Sequence, residues 1–220
     1  MSRSIAIDGP AGAGKSTIAK KVAKSLGFVY VDTGAMYRAM ALYMIKKGID
    51  ASQSDKISAT CTSADITIKH ENGEQVVYLN GENVNGLIRT EEVGNMASAS
   101  SVNADVRRKL VELQQKLAST TDVVMDGRDI GTVVLPGADL KVYLTASSRV
   151  RAQRRYKELI AKGEECNLDD IEKDIIDRDY RDMHRENSPL MQAEDAVLLD
   201  SSDMTIDEVA EKILSLYNEK

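Results

Sequence analysis

Gly9-Pro10-Ala11-Gly12-Ala13-Gly14-Lys15-Ser16 fits the pattern G-x-x-x-x-G-K-S, and it stands between the apolar run Ser4–Asp8 and a stretch of helical character from Lys15 to Leu26. A strand, a glycine-rich loop and a helix in that order make a phosphate cradle. Glycines let the backbone wrap closely enough for several N–H groups to aim at one polyphosphate, and the positive end of the helix dipole adds to the same spot. In such a loop the lysine, here Lys15, reaches the β- and γ-phosphates, and the hydroxyl of Ser16 sits on Mg²⁺. The expected donor-binding stretch is therefore Gly9, Pro10, Ala11, Gly12, Ala13, Gly14, Lys15, Ser16 and Thr17, with Ser16 facing the metal.

Outward from the loop, short apolar runs that suit buried strands recur at Ser4–Asp8, Phe28–Asp32, Val123–Asp126, Leu140–Leu144 and Ala196–Leu199, with helical patterns between them. That alternation predicts an α/β fold of the P-loop NTPase type, a parallel sheet of about five strands flanked by helices, whose ligands sit at the carboxyl ends of the strands. In the helix expected from about Val102 to Leu117, the residues Val102, Val106, Leu110, Leu113 and Leu117 return to one face. At the carboxyl end, Thr205-Ile206-Asp207-Glu208 reads as a capping box opening a helix that turns Ile206, Val209, Ile213 and Leu216 or Tyr217 inward.

The 220 residues suffice for one such core, with room for a small subdomain. A net charge of −6 argues against general affinity for nucleic acid polymers or anionic membranes, so phosphate binding must come from local arginine clusters. No apolar run has the length of a membrane span and no signal-peptide pattern opens the chain, which points to a cytoplasmic protein. Cys61 and Cys166 lie far apart outside any C-x-x-C pair and read as reduced, structural thiols.

Two stretches break the alternation. Between Thr62 and Gly86, Ile66, Ile68 and His70 alternate with polar residues, and turns at Asn72-Gly73 and Asn80-Gly81 flank Val77 and Leu79, which predicts a small antiparallel insertion. Between Ser147 and Asn187 the chain is dense in charge, with two helices joined at Lys162-Gly163-Glu164-Glu165, and reads as a movable lid. Arg149, Arg151, Arg154 and Arg155 fall on its first helix, and Arg178, Arg181 and Arg185 follow at i, i+3 and i+7 on its second. Planar, always-protonated guanidinium forks match the charge that phosphoryl transfer spreads over equatorial oxygens. An ordinary solvated face, paired with Asp174, Asp177 and Asp182, is the alternative. Further polar clusters, Asp32–Arg38 and Asp126–Asp129, follow strands and place a second phosphate pocket beside the first.

Together, Gly9–Thr17, the DTGAMYR segment Asp32–Arg38, Ile88-Arg89-Thr90-Glu91-Glu92-Val93, the DGRDIGTVVLP segment Asp126–Pro136 and the RDYRDMHR run Arg178–Arg185 closely resemble the bacterial cytidylate kinases, over nearly the whole chain. The resemblance implies one kinase domain over residues 1–220, with an acceptor-binding insertion at 62–86 and an arginine-bearing lid at 147–187. It implies that Thr33, Arg38, Arg128 and Arg185 surround the acceptor phosphate, that Ser98, Arg107 and Asp129 meet the cytosine edge, and that Arg178 and Asp182 contact the sugar. Arg151, Arg154 and Arg155 would engage ATP phosphates and the transferring group, and Lys15, Arg38, Arg128, Arg155 and Arg185 would carry the catalysis.

The activity so implied is transfer from ATP, with Mg²⁺, to CMP or dCMP. The acceptor is itself a phosphate with a second pKa near 6, so no catalytic base is needed and neither His70 nor His184 is required as one. The expected partners are ATP and CMP or dCMP, without nucleic acid or membrane, for a cytoplasmic monomer. A P-loop kinase of another small acceptor, such as UMP or a polyol, is the runner-up. A P-loop GTPase switch or regulatory binding protein fits less well, because no Asn-Lys-x-Asp guanine-reading segment occurs.

Overall fold

The computed structural model describes residues 2–71 and 73–219. Among these residues, eight strands and eight α-helices follow in the order β1 (Ser4–Asp8), α1 (Lys15–Leu26), β2 (Val29–Asp32), α2 (Thr33–Lys46), α3 (Ser54–Cys61), β3 (Ile66–Glu71), β4 (Glu74–Leu79), β5 (Glu82–Asn83), α4 (Glu91–Ser100), α5 (Ala104–Ala118), β6 (Val123–Gly127), β7 (Leu140–Thr145), α6 (Ser148–Ala161), α7 (Leu168–His184), β8 (Val197–Asp200) and α8 (Ile206–Asn218), with one π-helical turn at Ile130–Val134. Five strands form a parallel sheet in the order β2-β6-β1-β7-β8, as the α/β alternation predicts. Its register places Asp8 beside Gly127 and Tyr143, and Asp32 beside Asp126, so three carboxylates gather at the carboxyl edge.

Except for the edge strand β8, the strands of this sheet are buried on both faces, which is why they read as near-continuous apolar runs rather than alternating. On one face Ile5, Ile7, Val124 and Leu140 pack with Ile18 and Val22 of α1 and Val209 and Ile213 of α8. On the other, Ala6, Val31, Val123 and Met125 pack with Ile130 and Val134 of the π-helical turn. Each such fully buried branched side chain stabilises the fold by roughly 1.5–3 kcal/mol. A second, antiparallel sheet in the order β3-β4-β5 packs Ile66, Val77 and Leu79 against Met40 and Met44 of α2, in a core shared with α3, α4 and α5. It falls within the expected insertion; of the turn expected at Asn72-Gly73, Asn72 lies outside the described residues.

Two details of the helical patterning differ from expectation. Asn103 caps α5 by accepting from the Asp105 and Val106 N–H groups, so the helix starts after Val102, which is 49% exposed in the preceding turn. The capping box at Thr205 and Glu208 is present, but Ile206 is exposed because it is the first residue of α8, ahead of the buried stripe of Val209 and Ile213. Among the described residues, no helix is long and apolar enough to cross a membrane.

Candidate active site

The loop after β1 has the shape the glycine spacing demands. A Cβ at Gly9 would lie 1.9 Å from Leu144 O on the adjacent strand, so only glycine lets the chain leave the sheet there. Gly14 caps α1 in a left-handed conformation, φ 84°, and offers no side chain to the helix's first N–H groups, which are left for an anion. Lys15 is buried and donates to Pro10 O at 2.7 Å. Burial, followed by the nearby Arg128 guanidinium, pushes its ammonium down to about 7.

Facing the loop is a cavity of about 760 Å³ at the carboxyl edge of the parallel sheet, running from α1 to α4 and bordered by α7 and α8. Ala11 to Thr17, Thr33, Arg38, Ser98, Arg107, Arg128, Asp129, Arg154, Arg178, Asp182 and Arg185 all line it. Gly9 and Pro10, at the start of the loop, are not among the residues that line the cavity. Arg151 and Arg155, expected to engage ATP phosphates, are not among the residues that line the cavity. Arg151 is buried at the base of α6, where its Nη1 donates to Ala11 O at 2.8 Å, while Arg155, one turn further along α6, pairs at 3.3 Å with Glu158, which lines the cavity. Arg154 does reach the cavity and donates to Ser201 O at 2.7 Å.

The guanidinium groups are held by carboxylates from several elements. Asp32 caps α2 by accepting from Ala35 N–H at 2.9 Å, and it pairs with Arg38 at 2.9 Å and with Arg89 at 3.3 Å. The Asx turn and ion pair that compete with a ligand reading are thus both present here. Arg128 Nε donates to Asp182 at 2.8 Å; burial pushes the Asp182 carboxyl up, but Arg128, together with Arg178 and Arg185, more than offsets this and holds it below the usual carboxylate range. Arg107 and Asp129 form a buried ion pair, with Arg185 Nη2 at 3.8 Å from the same carboxylate. Arg107 also lies over the Tyr37 ring at 5.5 Å. Thr33 is in place but its hydroxyl donates to Asp126 O at 2.7 Å.

Three charged donors in this cluster remain unmatched. Arg38 Nε, Arg107 Nε and Arg185 Nη2 are buried and find no hydrogen-bond acceptor among the described residues. A buried unpaired donor costs about 1–3 kcal/mol. Three of them around one cavity define a place for an anion rich in acceptors.

Three residues that sequence reasoning left without a role are central to the geometry. Asp126, at the end of β6, accepts from Ser16 Oγ at 3.0 Å and from Tyr30 Oη at 2.8 Å. Burial, then the neighbouring Asp32, push its carboxyl upward, with Lys15 acting against them. Asp8 accepts from Ile130 N–H at 2.8 Å and Gly131 N–H at 2.7 Å, which anchors the turn after Asp129; burial pushes it up to about 6. Asp179 pairs with Arg151 at 2.6 Å. An aspartate at each strand end was the available signal for the first two. Neither histidine lines the cavity: exposed His70 lies 3.0 Å from Tyr30 O, and His184 stacks on Tyr180.

Comparison with known proteins accords with this geometry. Among solved structures, a gluconokinase from Sinorhizobium meliloti 1021 matches with a TM-score of 0.53 at 14% identity, covering 99% of this chain and 92% of that one. A shikimate kinase from Bacteroides thetaiotaomicron matches with a TM-score of 0.51 at 13% identity, covering 98% of each chain. These likenesses concern the fold. In sequence, the chain is 49% identical over 216 residues to the cytidylate kinase of Desulfitobacterium hafniense (strain Y51), covering 98% of this chain and 93% of that protein. It is 51% identical over 210 residues to the cytidylate kinase of Streptococcus pneumoniae (strain Hungary19A-6), covering 95% and 94%. The family model described as Cytidylate kinase matches residues 5–219, from the strand that feeds the phosphate loop to the last helix, and with it the chain belongs to the cytidylate kinase family.

Proposed function

We propose that this protein transfers the γ-phosphoryl group of ATP to the phosphate of CMP or dCMP, giving CDP or dCDP, as a cytoplasmic monomer. The observation that carries the reading is the set of unmatched buried donors, Arg38 Nε, Arg107 Nε and Arg185 Nη2, in the cavity that the phosphate loop opens onto. Arg38, Arg128 and Arg185 hold the acceptor phosphate beside Thr33. Ser98, Arg107 and Asp129 meet the base, and Arg178 and Asp182 the sugar. The loop and Lys15 hold the donor phosphates, with Arg154 beside them.

The acceptor oxygen is largely ionised at neutral pH, since its second pKa lies near 6, so the protein's work is to bring two anions into line. Lys15 and the arginines screen their repulsion and fix the geometry. Ser16 Oγ and the Asp126 carboxylate, 3.0 Å apart, suit Mg²⁺, which takes one or two protein oxygens and completes its shell from phosphates and water. Bound there, the ion would neutralise charge on the donor phosphates. The helix pair α6/α7, residues 147–187, acts as the lid that excludes water and brings Arg155 inward, and the 62–86 segment as the acceptor-side insertion.

A coupled assay with ATP and each nucleoside monophosphate tests the reading. Rapid turnover with CMP and dCMP, and slow turnover with UMP, is expected. A preference for UMP or for a polyol would replace the acceptor assignment, and GTP hydrolysis without any acceptor would replace the kinase reading altogether.

A further inference from the structure

Both arginine-bearing helices hydrogen-bond to the phosphate loop at Ala11. Arg151, in the first turn of α6, donates from Nη1 to Ala11 O at 2.8 Å and from Nε to Ala146 O at 2.8 Å. Asp179, on α7, pairs with the same guanidinium at 2.6 Å, and its Oδ1 accepts from Ala11 N–H at 3.2 Å. Both side chains are buried. Ala11 is thus gripped through its N–H and its C=O by one ion pair drawn from two helices.

Neither Arg151 nor Asp179 lines the cavity, yet their neighbours do. Arg154 follows Arg151 by one turn, Arg178 precedes Asp179, and Asp182 follows it by one turn. We propose that Asp179, acting through Arg151 and the Ala11 peptide groups, is a positioning residue for the donor phosphates: it fixes the distance between the loop's amides and the cavity-facing arginines of α6 and α7. The proposal rests on the reading that the loop holds the donor. One consequence concerns the lid. Its base is joined to the loop, so closure is confined to the tip from Arg155 to Asp177, where every side chain except that of Ile175 is exposed or half-buried.

A buried ion pair can be merely structural, and removing one partner leaves the other charge stranded. The test therefore compares Asp179→Asn with the double variant Arg151→Gln/Asp179→Asn, which removes both charges and leaves amides able to donate to and accept from Ala11. Thermal unfolding identifies the folded variants. In these, kcat at saturating ATP and CMP should fall at least about tenfold, the Kd of CMP measured alone should stay within about twofold, and amide exchange at Ala11 should quicken at least about tenfold. Unchanged kcat, or a CMP Kd that weakens in step with kcat, overturns the proposal.

A wild-type measurement decides the matter independently of variant folding. Adding a non-hydrolysable ATP analogue with CMP should slow amide exchange between Arg155 and Asp177 and leave Ala11, Arg151 and Asp179 as protected as before. Release of the Ala11 amide on closure would show that the grip is not retained and sink the idea. If the enzyme fails to phosphorylate CMP at all, the functional reading falls, while the exchange at Ala11 in the two variants still reports whether Asp179 holds the loop.

Discussion

Ser16 and Asp126 stand 110 positions apart, yet the Ser16 hydroxyl donates to Asp126 Oδ2 at 3.0 Å across the junction of loop and sheet. The same carboxylate takes the Tyr30 hydroxyl on its other oxygen, so both of its oxygens are oriented. Asp126→Asn keeps the size of the side chain and removes the charge that would hold Mg²⁺ beside Ser16. We expect activity to fall about 10- to 100-fold and the Mg²⁺ concentration for half-maximal rate to rise, with CMP binding unchanged. A magnesium titration of the rate checks this; an unaltered midpoint would remove Asp126 from the metal site.

Lys15 carries a charge that its surroundings disfavour. Burial and Arg128 push it down to about 7, so at pH 8 most molecules hold a neutral amine, which donor phosphates would pull back to ammonium. ATP binding at pH 8 should therefore take up close to one proton, and at pH 6 almost none. The affinity should weaken as pH rises above 7. Calorimetry in buffers of different ionisation heat measures the uptake, which Lys15→Met should abolish together with most turnover. An uptake that is the same in both proteins would assign the proton elsewhere.

Arg38 and Arg128 are held by Asp32 and Asp182, which aim their forks at one end of the cavity. Replacing either by Lys retains charge but loses the planar pair of donors. CMP affinity and rate should each fall on the order of tenfold, and ATP binding should hardly change. Equal weakening of both nucleotides would place these arginines on the wrong substrate.

Much of this was legible in contiguous residues. Ser4–Asp8, the loop and Lys15–Leu26 have the bounds that apolar runs and glycine spacing indicate, because strand, turn and helix there depend on local chemistry alone. The contacts that build the site between distant segments were not. Asp8 meets Ile130 and Asp179 meets Ala11 only because the strand order brings them to one edge, and no periodicity encodes which carboxylate faces which amide. Arg151 shows the limit most plainly. Spacing places it one turn from Arg155, but only the packing of α6 on the loop shows that it is buried and turned to Ala11 rather than to a ligand. Val102 and Ile206 were misplaced for a simpler reason, since an apolar period extended past a cap counts residues the helix does not contain.

Asp8 gives a pH dependence of known sign. Burial raises its carboxyl to about 6, above the value of an unfolded chain, so ionising it costs the fold on the order of 3 kcal/mol at neutral pH. Asp8 therefore favours the folded state below the unfolded pKa, and that contribution is lost as pH rises through 6. Asp8→Asn removes the titration while losing one of two acceptors for Ile130 and Gly131, and at pH 4.5 should be less stable than wild type. The stability difference should be larger at pH 4.5 than at pH 7.5 by roughly 2 kcal/mol. Urea unfolding of both proteins at the two pH values checks it, and a difference that grows with pH would show the sign to be wrong.

The choice of base tests the Arg107–Asp129 pair. Cytosine offers an amino donor beside an unprotonated ring nitrogen, whereas uracil offers a carbonyl beside a ring N–H. Asp129 is fixed by Arg107 and approached by Arg185, which leaves carboxylate lone pairs to accept from the cytosine amino group, while the unmatched Arg107 Nε and the Ser98 side chain can donate to its acceptors. Uracil would set its carbonyl against the carboxylate and its N–H against a donor. Buried polar groups left unpaired cost about 1–3 kcal/mol each, so CMP should be preferred over UMP by a large factor. Asp129→Ala should lower kcat/KM for CMP more than for UMP, and Asp129→Asn, which leaves an amide to meet Arg107 and the uracil carbonyl, should narrow the ratio with less loss of stability. Measuring both acceptors in the three proteins separates base reading from support of Arg107: equal losses for CMP and UMP would mean that Asp129 only holds the arginine, and Ser98 and Arg107 would then lose their assignment to the cytosine edge.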